Sequence, residues 1–226
     1  MRPAFAPAAA MKLPVAAVIP RGASAGECHE PQGIVLRLNK GEELFAEGES
    51  AEYFYKIMSG TVRTYKLLSD GRRQIDAFHL KNDIFGIEAC AEHRFSAEAV
   101  GDATVMAFRR NSLDRLVREH AAFGEQVLSS MLRNLQRAQD HMLLLGRKNA
   151  KEKIASFLLD LAERLHDSDR VELPMQRTDI ADHLGLTIET VSRTLSEFAR
   201  SGLIGLAAGS RSISLVNKVG LKFLDA

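Results

Sequence analysis

The chain has few of the residues that covalently or metal-stabilised scaffolds require. Only two cysteines occur among 226 residues, Cys28 and Cys90, and they are far apart with no C-x-x-C pair. This scarcity excludes a disulfide framework and a four-cysteine metal centre, and it favours a protein of the reducing cytoplasm. Beyond that, Cys28 and Cys90 are candidates only for a redox role.

Signals for metals, membranes and catalysis are also scarce. The seven histidines are scattered with no H-x-x-x-H pair, so the sequence predicts neither a metal nor another cofactor. No apolar run approaches the length of a membrane span, so no membrane partner is expected. A glycine-rich phosphate loop and a nucleophile motif are both missing, which predicts a protein that is not an enzyme.

The first 32 residues have a composition unlike the rest. They are rich in alanine and interrupted by Pro7, Pro14 and Pro20, with Lys12 between them. Because these residues break up any continuous apolar stretch, residues 1–32 are predicted to be a flexible N-terminal arm rather than a secretory signal.

The chain also has almost no net charge. The formal net charge is +1, and the part from residue 147 onward carries twelve Lys or Arg against eleven Asp or Glu. Bulk electrostatics therefore do not indicate a polyanionic partner. Any nucleic-acid binding must depend on where individual cations lie.

Residues 33–122 consist mainly of short strand patterns separated by turns. Residues 34–38 alternate in polarity, residues 53–58 end at Ser59-Gly60, and Asp70-Gly71 indicates a hairpin between residues 61–67 and 74–80. Two further strands are expected at 96–100 and 104–108. Many short strands with glycine at the corners predict a compact antiparallel β-roll or barrel.

A helix follows, predicted over residues 123–146 and ended by Gly146. Its apolar residues alternate spacings of three and four, which is typical of a two-stranded coiled coil and predicts a homodimer. The alternative is a helix that packs on its own β-roll. The predicted dimer seam consists of Leu128, Met131, Leu135, Ala138, Met142 and Leu145.

Residues 147–226 form the predicted C-terminal domain, which contains a helix-turn-helix pattern at 178–198. The first helix carries an apolar stripe through Ile180, Ala181 and Leu184, and Gly185 supplies the positive φ that ends it. Thr187 then caps a second helix. Its predicted buried face is Ile188, Val191, Leu195 and Phe198.

The opposite face of the second helix forms one polar row, Glu189, Ser192, Arg193, Ser196 and Arg200. An acceptor, a hydroxyl and a guanidinium near a helix N-terminus are suited to reading bases in the major groove of double-stranded DNA. Glu189, Ser192 and Arg193 are therefore the predicted base contacts. The alternative is a solvated face on an ordinary helical hairpin.

A β-hairpin is predicted after the second helix, from residues 203–206 and 212–215 with a turn through Gly209. Hairpins of this kind, called wings, bring side chains near the phosphates. The candidate DNA backbone contacts are Thr178, Thr187, Thr190, Ser196, Arg200, Arg211 and Ser212.

This order of a β-roll, a long dimer helix and a winged helix-turn-helix resembles the Crp/Fnr superfamily of bacterial transcription regulators. The run Gly41-Glu42-x-Leu44-Phe45-x-x-Gly48 looks like its cyclic-nucleotide-binding-domain pattern. Glu189-x-x-Ser192-Arg193 matches the E-x-x-S-R motif of its Fnr and FixK branches. The resemblance covers about residues 34–217 and implies an α+β fold.

Departures from the family pattern indicate the branch. Phe95 precedes Ser96 where cyclic-nucleotide-binding members have the phosphate-binding arginine, and Arg94 is one position off, which in a strand faces the other side of the sheet. Two cysteines cannot hold an iron-sulfur cluster, and no axial haem ligand can be matched. Residues 85–89 and 95–100 look like the FixK subgroup, which acts without a bound effector in low-oxygen respiration and nitrogen fixation.

The resemblance implies a dimeric activator that contacts RNA polymerase and binds an inverted repeat of TTGAT-like half-sites. Thr194 is a departure, since related motifs often have an aliphatic residue there. The alternative function is a regulator whose β-roll binds a small molecule or haem that gates DNA binding.

Overall fold

The computed structural model describes residues 31–165, 169–206 and 211–225. Cys28, almost all of the predicted N-terminal arm and the predicted wing turn at Gly209 lie outside these ranges. Among the described residues, no helix is both long and apolar enough to cross a lipid bilayer.

Two four-stranded antiparallel sheets form the N-terminal β-roll, in the orders β1-β8-β3-β6 and β2-β7-β4-β5. Alternating apolar side chains from both sheets fill the roll, so the fold follows the pattern expected from the sequence. The strands are β1 (Ile34–Leu38), β2 (Glu43–Phe45), β3 (Tyr53–Ser59), β4 (Val62–Leu67), β5 (Arg73–His79), β6 (Ile84–Phe85), β7 (Ser96–Ala99) and β8 (Ala103–Arg109).

Gly60 shows why glycine stands at a corner of this roll. Its φ is +79°, and a Cβ at this position would lie 2.4 Å from the carbonyl oxygen of Asp102. No other residue tolerates both the left-handed backbone and the close approach of the neighbouring chain. The predicted Ser59-Gly60 turn between β3 and β4 is confirmed.

Two helices follow the roll, α1 (Leu113–Glu119) and α2 (Ala121–Arg147). The prediction that Gly146 ends the long helix is wrong, because the helix continues through Gly146 to Arg147. The chain changes direction at Lys148, and a capping box between Asn149 and Glu152 starts α3 (Ala150–Arg164).

Helix α2 has two different faces. One face packs on its own chain through Phe123, Val127 and Leu144, and Asn134 donates a hydrogen bond to the carbonyl of Ile84 at 3.0 Å. The other face carries the predicted seam. The alternative interpretation, a helix that packs on its own roll, is therefore confirmed for one face of α2. The dimer seam on the other face stays a prediction.

Most of the seam is exposed in the monomer. Leu135 is 57% exposed and Met142 is 66% exposed, although both are large apolar side chains. Leu145 is a correction, because it is half-buried against the core of the C-terminal domain, which covers the end of α2 on that side. The exposed large apolar side chains on α2 are Leu128, Met131, Leu132, Leu135, Met142 and Leu143.

The C-terminal domain contains a small sheet and the helix-turn-helix. The sheet has the order β10-β11-β9, with β9 (Arg170–Glu172), β10 (Ile204–Leu206) and β11 (Ser212–Leu215). Helices α4 (Arg177–Leu184) and α5 (Ile188–Arg200) form the predicted pair. A last helix, α6 (Lys218–Asp225), was not predicted from the sequence and packs on α3.

Candidate nucleic-acid interface

Helix α4 begins and ends where local chemistry requires. Asp179 accepts from the backbone amide of Gln176 at 3.2 Å, which completes a capping box at the first turn. Gly185 ends the helix with φ +61°, and the amide of Leu186 donates to the carbonyl of Ala181 at 3.0 Å. The predicted left-handed turn is confirmed, and it sets the angle between α4 and α5.

Helix α5 is capped by Thr187, as predicted, since its hydroxyl accepts from the amide of Thr190 at 3.3 Å. Val191, Leu195 and Phe198 are buried. Ile188 is a correction, because it is 41% exposed. It occupies the first helical position, where the preceding turn leaves no neighbouring element to cover it.

Thr194 is buried with Val191 and Leu195, at 4% exposure. It therefore occupies an inward position on α5, which is the position expected for the aliphatic residue found in related motifs. Its methyl group can contribute to packing at this site.

The structure places the polar row on one open face of α5. Glu189, Arg193, Ser196 and Arg200 are exposed, and Ser192 is half-buried between them. The pKa of Glu189 is lowered because its own backbone amide and the Thr187 hydroxyl stabilise the carboxylate. The row therefore offers an ionised acceptor and guanidinium donors, which are the groups that the predicted base contacts need.

Arg177 is a candidate residue that sequence reasoning missed. It lies at the first position of α4, is exposed, and donates from Nη1 to the Ser192 hydroxyl at 3.3 Å. Fifteen positions separate these residues in the chain. Only the angle of the helix-turn-helix brings them together, so the spacing of residues on one helix could not reveal the contact.

The candidate backbone contacts differ in accessibility. Thr178, Arg200 and Arg211 are exposed, whereas the hydroxyls of Thr187 and Thr190 bond to each other at 3.2 Å. Ser196 is exposed and donates to the carbonyl of Ser192 at 2.9 Å.

Ser212 is a correction among these candidates. It is 7% exposed, lies in β11 and bonds through its hydroxyl to the guanidinium of Arg170. Its side chain serves the small sheet instead of facing outward near the wing turn, so it is not included among the proposed contacts.

A buried lysine holds the turn between α4 and α5. Lys153 of α3 is 8% exposed, and its Nζ donates to the carbonyl of Leu184 at 3.0 Å. A cation at the C-terminus of a helix interacts favourably with the helix dipole and satisfies a carbonyl that has no partner within the helix.

We expect Lys153→Met to lower the free energy of unfolding by about 1 to 3 kcal/mol, because the Leu184 carbonyl loses its donor while remaining buried. Urea unfolding followed by circular dichroism measures this loss. Lys151→Met is the matched control, since Lys151 is exposed and pairs only with the exposed Glu197 among the contacts seen here. Equal stability of Lys153→Met and the parent would contradict this role.

Two half-buried histidines, His141 and His183, lie where α4 meets the roll and α2. The ring of His183 stacks on His141 with centroids 4.1 Å apart, and it packs edge-on against Phe78. Desolvation lowers the pKa of His183 to about 3, with further lowering by His141. Burial likewise lowers the pKa of His79 inside the roll to about 4.

These pKa values predict destabilisation in mild acid. A histidine whose folded-state pKa lies below its unfolded value of about 6.5 binds protons first in the unfolded chain as the pH falls. The stability is therefore complete above about pH 6.5 and is lost progressively towards pH 4. Urea midpoints at pH 7.5 and pH 5.5 measure the loss, and we expect a smaller difference for His183→Gln. An unchanged difference would contradict the assignment.

Stacked aromatic rings lie inside the roll. The ring of Phe45 stacks on His93 with centroids 3.6 Å apart, and Phe85 stacks on His79 at 4.3 Å. The hydroxyl of Thr64 lies 3.1 Å from Nε2 of His79.

Arg94 lies in a bend before β7, so strand alternation does not set its direction as the sequence had suggested. The positive charge of Arg94 favours the ionised form of Asp76 and so lowers its pKa. Burial of the Asp76 carboxyl has the larger effect, and the pKa is raised overall. Within residues 31–165, 169–206 and 211–225, no group of three or more His, Cys, Asp or Glu could hold a metal ion.

Comparisons with known proteins agree with this architecture. The cyclic nucleotide-binding domain family matches residues 35–120, and the Crp-like helix-turn-helix domain family matches residues 152–224. The nitrogen fixation regulation protein FixK of Bradyrhizobium diazoefficiens is 43% identical over 201 residues, which cover 87% of this chain and 84% of that protein.

Two further comparisons cover similar shares of the chain. The nitrogen fixation regulation protein FixK of Rhizobium meliloti is 41% identical over 191 residues, covering 84% of this chain and 87% of that protein. The solved structure of FixK2 from Bradyrhizobium japonicum superposes with a TM-score of 0.79 at 46% identity, covering 86% of this chain and 98% of that chain.

Proposed function

The chain belongs to the Crp/Fnr superfamily of DNA-binding transcription regulators, in a FixK-like subgroup, and from that premise we propose the DNA sequence it reads and the residues that read it. Two copies bind an inverted repeat of TTGAT-like half-sites. Arg193 contacts a guanine through its O6 and N7 atoms, and Glu189 accepts from a cytosine amino group. Ser192 contacts a thymine methyl or a phosphate.

The observation that carries this proposal is the open polar row on α5. Glu189 and Arg193 are exposed at the N-terminal half of a helix whose opposite face is buried at Val191, Thr194, Leu195 and Phe198. Recognition helices insert this half into the major groove. Arg177, Thr178, Arg200 and Arg211 are exposed and serve as the proposed backbone contacts.

The proposed dimer forms through the exposed stripe of α2. Leu128, Leu135 and Met142 recur every seven residues, and each is more than half exposed in the monomer. A coiled coil of two such helices removes these side chains from water and sets the two α5 helices about one DNA turn apart, roughly 34 Å.

DNA binding is proposed to proceed without a bound effector. Phe95 stands where a phosphate-binding arginine would be needed, and the neighbouring stacked rings of Phe45, His93, Phe85 and His79 do not replace its guanidinium. A cyclic phosphate would lose its hydration there without a dedicated cation. In the cell the protein is proposed to activate genes of low-oxygen respiration or nitrogen fixation by contacting RNA polymerase.

A second candidate is a ligand-gated regulator. A cleft of about 990 Å³ is lined by residues of the roll, α2 and α3, and its lining includes Asp76, Thr64 and His79. These polar groups would suit a small neutral or cationic ligand.

One experiment separates the two functions. Purified protein is examined by absorbance spectroscopy and by mass spectrometry of the molecules released on denaturation, and its affinity for a TTGAT inverted repeat is measured without additions. The effector-independent function predicts no stoichiometric small molecule and full specific binding. A released molecule whose removal abolishes DNA binding favours the ligand-gated function.

A further inference from the structure

A cluster of charged side chains joins the roll to helix α4. Arg63 of β4 donates from Nη1 to Oδ1 of Asp179 at 2.8 Å, and Arg73 of β5 donates from Nη2 to the same oxygen at 2.6 Å. Arg73 also donates from Nε to Oδ2 of Asp182 at 2.9 Å. Two roll arginines therefore hold two acidic residues of the helix-turn-helix.

The cluster is largely buried, and a further residue of the roll holds Arg63 in place. The side chains of Asp179 and Arg63 are only 6% and 11% exposed. The second terminal nitrogen of Arg63 donates to Glu98 of β7 at 2.8 Å, which holds the guanidinium in place on the roll. The three acidic groups exceed the two arginines by one negative charge, so loss of either arginine leaves buried carboxylate charge uncompensated.

Neighbouring polar contacts extend the same junction. The side chain of Gln74 donates to the carbonyl of His183 at 3.1 Å, and Nδ1 of His183 lies 3.1 Å from the carbonyl of Ile75. Hydrogen bonds, including those between charged groups, are directional, unlike apolar packing. The junction therefore specifies an angle between the roll and α4 as well as holding them together.

Asp179 links the roll arginines to the first turn of α4. Its Oδ2 accepts from the amide of Gln176, in the capping box that starts α4, while its Oδ1 accepts from both arginines. The residue that caps the first turn of α4 is thus the residue that the roll holds. Any shift of the roll arginines acts directly on the first turn of α4.

The junction leaves the polar row of α5 open. Asp179 and Asp182 face β4 and β5, whereas Glu189, Arg193 and Arg200 remain exposed. Because no side chain of the described part of the chain covers these residues, the held orientation is one in which α5 can enter a groove.

We propose that Arg63 and Arg73 are positioning residues that clamp the helix-turn-helix in its DNA-binding orientation without an effector. This inference rests on the proposed DNA-binding function, and it assigns effector independence to contacts between named side chains. A domain that samples many orientations binds with an apparent affinity reduced by the fraction in the competent one.

The experiment uses charge reversal in the full-length protein. Arg73→Asp and Asp182→Arg each break the Arg73–Asp182 pair, whose side chains are 23% and 25% exposed. The double variant restores an opposite pair at these two positions with the signs exchanged. Arg72→Asp is the matched control, because it makes the same charge change on the same hairpin while Arg72 pairs only with Asp70 among the contacts seen here. A second double variant, with Arg72→Asp and Asp182→Arg, has the same net charge as the charge-swapped one but cannot restore the pair. It shows how much of any recovery comes only from the positive charge that Asp182→Arg adds near DNA.

Two measurements are made on each variant. Affinity for a TTGAT inverted repeat is expected to fall about tenfold or more in Arg73→Asp and to recover in the charge-swapped double variant. Hydrogen exchange of peptides covering α4, measured without DNA, is expected to accelerate in Arg73→Asp, to recover in the double variant and to match the parent in Arg72→Asp.

The outcomes separate the clamp from the proposed function. Parent-like exchange and affinity in Arg73→Asp, or a double variant no better than the single ones, would overturn the clamp. Faster α4 exchange in Arg73→Asp that recovers in the double variant supports the clamp on its own. If that pattern occurs while the parent fails to bind the inverted repeat, the half-site proposal falls and the clamp stands.

Discussion

Leu135→Asp is expected to convert the dimer to monomers and to reduce specific DNA affinity by about two orders of magnitude or more. Leu135 lies near the middle of the exposed stripe on α2 and is 57% exposed in the single chain. Two carboxylates placed opposite each other in a coiled-coil seam repel and must leave water without a partner. Sedimentation velocity measures the mass, and fluorescence anisotropy measures the affinity.

The loss of affinity follows from the loss of linkage between half-sites. A dimer binds its second half-site at a high effective concentration, whereas a monomer gains nothing from the repeat. Gln136→Asp is the matched control, because Gln136 is exposed on the same helix but lies off the seam. A Leu135→Asp protein that still sediments as a dimer would refute the seam.

Arg193→Ala is expected to lose about 1 to 3 kcal/mol of discrimination at one guanine in each half-site. Its guanidinium is exposed on the polar row, close to the capped N-terminus of α5. The readout is the ratio of affinities for the TTGAT repeat and for a repeat with that guanine replaced.

Arg200→Ala provides the contrast for this measurement. Arg200 lies at the C-terminal end of the same helix and is proposed to contact only phosphate. Its removal should weaken both duplexes equally and reduce the salt dependence of binding, since phosphate contacts carry no sequence information. If Arg193→Ala also weakened both duplexes equally, Arg193 would be a phosphate contact and the base assignment would be wrong.

Local features of the fold were predictable because they follow from neighbouring residues. Gly185 had to be left-handed to end a helix before Leu186, and Thr187 had to cap the next one. The strands of the roll were predictable for the same reason, since alternation and turn residues act over a few positions. The polar row followed from helical periodicity alone.

Features that depend on distant contacts were not predictable. Nothing local distinguishes the buried Ser212 from the exposed Arg211, because a contact with Arg170 across the small sheet decides it. Gly146 did not end α2, since its helical neighbours outweigh the modest preference of one glycine. The clamp on Asp179 joins residues more than one hundred positions apart, which no pattern in a single sequence reveals.

Selection of bound sequences from a random pool of duplex DNA tests the central claim most directly. The pool is exposed to purified full-length protein with no added ligand, and the retained duplexes are sequenced. We expect an enriched inverted repeat of TTGAT-like half-sites whose centres lie about one helical turn apart. Enrichment of an unrelated or unpaired sequence, or no enrichment without a small molecule, would contradict the claim.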